Sequence, residues 1–388
     1  MRHIDALERR ARLAIRHRVT PSMSAPDPAS VAHSMLALHA TDPATVFLSV
    51  QARSASDPAA IERALYEERS LIRLLGMRRT MFVLPVEVAP VVEAACTKAI
   101  AVTQRRTYTK LLSQAGVGDG AWLADVEEST VRALRARGEA TGAQLSQDEP
   151  RLRSRVQVAE GKSYGGPTNI TSWVLLLLAA EGRIVRGRPN GSWTSSQWHW
   201  SPVEAWLPNG MPEIPVDEAR AQLARRWLAT FGPATPADLR WWTGWTAGQV
   251  KQALAAVGPV EVDLEGESGL VLADDVDLVE APDPWVAMLP ALDPTPMGWS
   301  RRSWFLGPHA PALFDRSGNI GPTVWSDGRI VGGWAQRANG EIVYRLLEDV
   351  GAQTRAAVDA AAERLAAWIG PVRVTSRFRT PLERELTA

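Results

Sequence analysis

Over the first sixty residues, short apolar helical spacings alternate with a recurring polar break. Ile4, Leu7, Ala11 and Ala14 follow one another at three- and four-residue steps, which predicts one apolar helix face. Asp27-Pro28-Ala29, Asp42-Pro43-Ala44 and Asp57-Pro58-Ala59 then recur at intervals of 15. In each, the aspartate can accept from the orphan amides of a helix start and the proline fits the first helical position, so each predicts a helix N-terminus. Leu71–Leu75 and Thr80–Pro85 are apolar runs around the basic turn Gly76-Met77-Arg78-Arg79, which predicts a hairpin. Short helices followed by a basic-tipped hairpin describe a winged helix-turn-helix.

A second pattern repeats over a longer interval. Leu134, Gly138, Ala140, Thr141, Ala143 and Leu145 return 94 positions later as Leu228, Gly232, Ala234, Thr235, Ala237 and Leu239. Each copy predicts a helix stopped at the glycine and a new one capped by the threonine, with Gln144 or Asp238 at its third position. Thr141 with Gln144 is a capping box. The first copy continues into an apolar helix from about Thr171 to Ala180. A second hairpin follows, Gly182–Arg186 and Trp193–Trp198 around Asn190-Gly191. The second copy continues into a helix, Ala247–Ala256, and a hairpin from Val260 to Leu272 around Gly266. That hairpin is acidic, so its unit is expected to dock on protein rather than on phosphate. Residues 146–168 read as the one long loop.

From Pro284 the texture changes to strand-like runs between turn signals: Trp285–Leu289, Thr323–Trp325, Arg329–Val331 and Ile342–Arg345, with Asp327-Gly328 and Asn339-Gly340 suited to type I′ turns. These predict a β-meander, followed by a helix from about Gln353 to Ile369 and a last strand, Val372–Ser376. The expected fold class is α+β: winged helices over 1–115, 116–212 and 213–282, then a β-rich domain over 283–388.

Composition narrows the function. A chain of 388 residues, 45% hydrophobic and 22% charged, is long enough for several buried cores and excludes disordered, collagen-like and coiled-coil classes. Lys+Arg and Asp+Glu are both 43, which gives no whole-molecule attraction to nucleic acid or membrane. The charge is segregated, however: Arg2, Arg9, Arg10, Arg12, Arg16 and Arg18 crowd the start, whereas 252–300 holds ten acidic residues and no Lys or Arg. This raises the expectation of one basic face. The 16 tryptophans outnumber Tyr and Phe together, and most are expected in the core, with a few as stacking platforms. Cys96 is alone, so neither a disulfide framework nor a Cys-based metal site is expected, and the compartment should be reducing. The longest apolar run, Trp173–Ala180, is far short of the ~20 residues that cross a bilayer. A cytoplasmic protein that does not engage membranes is the expectation.

Several chemistries can be set aside. Gly161-Lys162-Ser163-Tyr164-Gly165 has the Gly-x-Ser-x-Gly spacing, but charged residues precede it and Gly166-Pro167 follows, where a nucleophile elbow needs a strand and then a helix. The six histidines show no metal-binding spacing. His39-Ala40-Thr41 is a more interesting triplet. The helix from Pro28 should end near Leu38 or His39, and Pro43 biases Asp42 toward extended backbone. In extended chain, positions two apart share a side, so His39 and Thr41 could face one ligand. A histidine complementing a helix C-terminus is the competing structural reading.

Two long strings, Leu289-Pro-Ala-Leu-Asp-Pro-Thr-Pro-Met-Gly-Trp299 and Phe314-Asp-Arg-Ser-Gly-Asn-Ile-Gly-Pro-Thr-Val-Trp-Ser-Asp-Gly-Arg-Ile-Val-Gly-Gly-Trp334, carry a resemblance, supported by Met77–Pro85 and Ser195-Ser-Gln-Trp198. Over nearly its whole length the chain resembles the AlkZ/YcaQ-type tandem winged-helix DNA glycosylases. That resemblance implies three winged helices and a β-rich C-terminal domain in a C-shaped clamp on duplex DNA, with no metal or organic cofactor. It also implies excision of N7-alkylated or crosslinked purines, as in base excision repair and antibiotic self-resistance. The family's catalytic Gln-x-Gln or Gln-x-Asp falls on His39 and Thr41 here. His39 is then expected as base or water ligand and Thr41 as water positioner, with water attacking the sugar C1′. The first-wing string also departs from the family, with Arg78-Arg-Thr-Met-Phe82 where Arg-Gly-Thr-Leu-His is usual.

Candidate DNA contacts are Arg78 and Arg79 on the first wing, and Arg183, Arg186, Arg188, Ser195 and Gln197 around the second. Arg301, Arg302, Trp325 and Arg329 are those of the C-terminal domain. The Asp327-Gly328 hairpin, flanked by Trp325 and Arg329, is placed to probe a groove unless Trp325 is core. The expected partner is lesion-bearing double-stranded DNA, bound by a monomer. The alternatives are a non-catalytic winged-helix damage sensor or regulator, and a scaffold that touches no nucleic acid.

Overall fold

The structure, a computed structural model, describes residues 1–158 and 165–388, so residues 161–164 of the Gly-x-Ser-x-Gly stretch lie outside it. The chain opens with β1 (Arg2–His3) and α1 (Ala6–Arg16). The three Asp-Pro breaks start α2 (Pro28–Met35), α3 (Pro43–Gln51) and α4 (Pro58–Glu62). Asp27, Asp42 and Asp57 accept from the amides of Ser30, Ala44 and Ala60 at 2.7, 3.1 and 2.7 Å. α2 ends earlier than expected because Leu36 takes a left-handed φ of 62°. Strand β2 (Leu38–His39) then joins the predicted hairpin, β3 (Leu71–Gly76) and β4 (Thr80–Pro85), in the order β2-β4-β3. α5 (Ala89–Val92) passes through a π turn into α6 (Lys98–Gln114).

In the second unit α7 (Gly120–Arg137) stops at Gly138, β5 (Ala140–Thr141) follows, and the Thr141–Gln144 capping box opens α8 (Gly142–Asp148). The expected loop over 146–168 instead holds the end of α8, a helical turn (Pro150–Arg153) and the antiparallel ribbon of β6 (Arg155–Val158) and β7 (Gly166–Asn169). α9 (Thr171–Ala180) has its predicted bounds. β8 (Ile184–Pro189) and β9 (Trp198–Pro202) complete a β5-β9-β8 sheet. Residues 193–197, expected in the hairpin, precede β9 as loop, because Trp193 turns inward and stacks on Phe47 with ring centroids 5.0 Å apart.

The third unit consists of α10 (Val216–Phe231), α11 (Pro236–Thr243) with its Thr235–Asp238 capping box, α12 (Ala247–Val257), β10 (Val260–Leu264) and β11 (Glu267–Val271). Its third strand is β1, parallel to β10, so the start of the chain completes the third sheet. This placement also offsets part of the N-terminal charge. Arg12, 1% exposed, pairs with Glu8 at 2.8 Å and Asp275 at 2.9 Å, and Arg16 pairs with Asp275 at 2.5 Å. Asp275 of the acidic run thus takes up two of the N-terminal arginines, while Arg9 lies over Trp304 at 4.2 Å and Arg10 donates to the Trp304 carbonyl at 2.9 Å.

The C-terminal part contains β12 (Val286–Leu289), the short helices α13 (Ser303–Leu306) and α14 (Ala310–Leu313), and the strands β13 (Thr323–Ser326), β14 (Arg329–Gln336) and β15 (Ile342–Leu346). It ends in α15 (Gly351–Ile369) and α16 (Pro381–Leu386). β12 to β15 form the predicted meander. Asp327 and Gly328 take φ of 47° and 79°, as a type I′ turn requires, whereas at Asn339-Gly340 only the glycine is left-handed, so that turn is of another type. The last predicted strand does not form. Residues 372–376 are instead held by the Gln336 side chain, which accepts from the Val374 amide at 2.7 Å and so replaces a strand ladder.

The first sheet is buried on both faces. Leu38, Leu71 and Val83 join a core with Phe47 of α3 and Leu365 of α15, whereas Leu74 and Phe82 join one with Trp227, Phe231, Trp299 and Trp325. Between these cores runs a buried polar clasp. The Arg53–Asp293 pair, at 2.6 Å, is shielded from solvent; Arg53 also reaches Thr295, Ser49 bonds Asp293, and His17 bonds Thr295. The long Leu289–Trp299 string is therefore this clasp rather than the chemistry.

Candidate active site and nucleic-acid interface

His39 ends β2, paired with Phe82 of β4, and the Ala40 amide donates to Met81 O at 2.8 Å, so the chain stays extended to the cap Asp42. The imidazole sits edge-on to Phe82 with centroids 5.6 Å apart, and the residue is 8% exposed. Its Nδ1 accepts from the Thr41 amide at 3.4 Å, which in the neutral ring puts the proton on Nε2. Burial, aided by the nearby Arg78 charge, lowers the His39 pKa to about 3. The ring is neutral throughout the physiological range. Thr41 is half-buried, and among the described residues its hydroxyl has no hydrogen-bond partner.

Asp42 is occupied by structure. One oxygen caps α3 and the other accepts from the Arg377 amide at 2.9 Å, while burial raises its pKa. Arg377 is a residue that sequence reasoning missed. The tail beyond α15 returns to place its guanidinium beside the Thr41 carbonyl at 3.4 Å, across 336 positions of chain that no local pattern could bridge.

The expected DNA contacts divide by partner. Arg78 and Arg79 both take left-handed φ, 54° and 60°, at the tip of the first hairpin, a strain of ~1 kcal/mol or more each. Arg78 lies over Trp241 at 4.1 Å, and Arg302 lies over the same ring at 4.8 Å. Burial and the Arg78 charge lower the Arg302 pKa to about 10. Gly244, at φ 76°, admits this contact, since a Cβ there would stand 3.2 Å from the Arg78 side chain. Arg79 donates to Gln104 at 2.9 Å, and Arg186 packs over Trp200 at 4.9 Å. Among the described residues none of these four has a carboxylate partner. Arg183, by contrast, pairs with Glu128 at 2.8 Å, Arg188 with Glu62 and Glu67, Arg301 with Glu267 and Arg329 with Glu348.

Trp325 is corrected outright. It is fully buried and donates its indole N–H to Thr323 at 2.8 Å. The Asp327-Gly328 tip likewise faces protein, because a Cβ on Gly328 would stand 2.5 Å from Arg10 of α1. Trp325 is therefore not available to a groove, and of the tip only Asp327 and the neighbouring Arg329 are exposed. Ser195 accepts from the Gln197 amide at 3.2 Å, with Gln197 exposed in the loop before β9.

With this geometry in place, the comparisons are informative. The model of the family described as "DNA glycosylase AlkZ-like" matches residues 32–368. The fold is similar to that of the DNA glycosylase AlkZ of Streptomyces sahachiroi, with a TM-score of 0.73 over 97% of this chain and 99% of that one, at 22% sequence identity. No curated protein matches.

Proposed function

This chain belongs to the AlkZ-like DNA glycosylase family and is therefore a glycosylase acting on DNA, and from that premise we propose that it releases N7-alkylated purines, bulky adducts and crosslinks included. In this reading the three sheet-bearing units are winged helices that, with the C-terminal domain, enclose lesion-bearing duplex as a monomer. Their common plan supports it: in each, a short strand or bridge before the helix cap pairs with the second strand of the hairpin. Self-resistance to an alkylating natural product and cytoplasmic base excision are the settings the reading fits. Family membership sets aside the regulator and the scaffold.

The observation that carries the site is the His39–Thr41 juncture at the end of an edge strand, between the cations Arg78 and Arg377. Of the two roles expected for His39, base and water ligand, the geometry favours the second. A ring whose pKa is about 3 and whose Nδ1 is engaged is a poor base, but its Nε2–H can hold a water while the Thr41 hydroxyl orients it. An N7-alkylated purine is already cationic and leaves with little help, so the water needs position more than deprotonation. The phosphate-facing arginines are those on aromatic rings without acids, Arg78, Arg186 and Arg302, together with Arg79. Arg183, Arg188, Arg301 and Arg329 contribute only as far as phosphate displaces their carboxylates, with Ser195 and Gln197 as minor polar contacts.

The test is single-turnover release of N7-methylguanine, and of a bulky N7 adduct, from duplex DNA. His39→Ala combined with Thr41→Ala should lower the rate by about 10²-fold or more with the affinity for duplex kept. Unchanged release in the double variant would remove the pair from the mechanism.

A further inference from the structure

Between the first and second units, the buried Arg73 and the half-buried Arg186 lie together, and among the described residues neither pairs with a carboxylate. Arg73, in the centre of β3, is 4% exposed. Its Nη1 donates to the Tyr66 hydroxyl at 2.7 Å, and its guanidinium lies over Trp198 at 4.4 Å. Arg186, on β8, lies over Trp200 at 4.9 Å and Trp198 at 5.5 Å. Arg73 Nε and Nη2 and Arg186 Nε are closed off from solvent, and among the described residues they have no acceptor. Glu62, whose charge reaches Tyr66, is taken by Arg188, as is Glu67. Arg377 stands close enough to add its charge, and with burial and Arg73 it lowers the Arg186 pKa to about 10.

Ring faces compensate only part of the cost of desolvating two guanidinium ions. What the cluster lacks is a compact anion with several acceptor oxygens, and a forked guanidinium matches phosphate in charge and geometry. We infer that Arg73 and Arg186, with Arg377 at the rim, form a phosphate seat between the first two units that grips one backbone phosphodiester of the lesion-bearing strand. The Arg377 guanidinium touches the Thr41 carbonyl, so the gripped phosphate adjoins the nucleotide presented to His39 and Thr41. The inference takes its ligand from the DNA reading above, but not from the assignment of the catalytic pair.

The seat is tested on the full chain by the salt dependence of its affinity for uncleaved duplex. Arg186→Gln should reduce the slope of log K against log salt by about 0.9, the loss of one phosphate contact. Arg186→Lys should restore the slope, as a point charge, without restoring the full affinity. Duplexes carrying one neutral methylphosphonate at successive positions near the lesion locate the contact: one position weakens the wild type and leaves Arg186→Gln unaffected. Arg225→Gln, which removes an exposed arginine paired with Asp274 at 2.9 Å, serves as the control with unchanged slope. A folded Arg186→Gln with wild-type slope and wild-type methylphosphonate response overturns the inference. So does a melting temperature raised by millimolar inorganic phosphate in the wild type but not in the variant while the slope stays put, since free phosphate would then fill the seat. Binding is read without base release, so a working seat in a protein that releases no purine would defeat the proposed substrate and leave the seat standing.

Discussion

The first and second units follow one plan but differ at the joint between strand and helix. In the second, the helix ends at the left-handed Gly138 and the next cap, Thr141, comes three residues later, itself paired in the sheet opposite His199. In the first, the helix ends at the left-handed Leu36 and the cap, Asp42, comes six residues later. His39 takes the sheet position that Thr141 holds, opposite Phe82, and the added stretch runs over residues 40–42, from that position to the cap. Thr41 thus lies in an extension that the second unit lacks, and His39 stands where that extension leaves the sheet. An extended segment tied at one end to a sheet and at the other to a helix cap holds polar side chains in fixed positions, which a tight glycine turn leaves no room to do.

Removing residues 39–41, so that Asp42 follows Leu38 as Thr141 follows Ala140, should have the largest effect. Base release is expected to fall by at least about 10²-fold while the melting temperature and duplex affinity stay close to wild type. Retained release in the deletion would break the comparison. Next in size, Arg53→Ala leaves Asp293 buried and unpaired behind α3, and should cost about 3–5 kcal/mol in denaturant unfolding. A loss under about 1 kcal/mol would mean that the clasp does not hold the first unit in place.

The third prediction uses pH. Both His39 and His17 have native pKa values lowered to about 3, mainly by burial, whereas an unfolded histidine titrates near 6.5. Between those values the unfolded chain binds protons that the native one refuses. The contribution to stability is therefore complete above about pH 6.5 and is lost as pH falls toward 3. Unfolding midpoints should drop between pH 7.5 and 5, and His39→Gln should shrink the drop. Base release by the wild type should meanwhile be flat from pH 6 to 8, because His39 does not titrate there; a sigmoid centred near 6.5 would restore it as the base. The smallest effect is expected from Gly138→Ala, which places a side chain at φ 77° for about 1 kcal/mol of stability and no change in base release.

Much of this was legible in the chain. Aspartate before proline, threonine three before Gln or Asp, and Asp-Gly between apolar runs each act through neighbours a few residues away, so the caps, both copies of the repeat and the meander were readable locally. The strand expected at Val372–Ser376 failed because its would-be partner is a side chain, Gln336, and the loop expected over 146–168 concealed a ribbon of two four-residue strands, of which β7, Gly166-Pro-Thr-Asn169, carries no apolar alternation.

Local sequence marked the capped helix starts, and it singled out His39 and Thr41 as neighbours on extended chain. Which arginines meet a carboxylate and which meet an aromatic ring was set by the fold alone. Charge is a property of the residue, but its availability depends on what the fold sets against it. Arg2, Arg12 and Arg16 meet Glu8 or Asp275 and are neutralised, whereas Arg78, Arg186 and Arg302 meet tryptophan rings and, among the described residues, no carboxylate. The protonation of His39 was likewise unreadable from sequence, since it follows from the desolvation of a ring packed edge-on to Phe82, aided by the Arg78 charge.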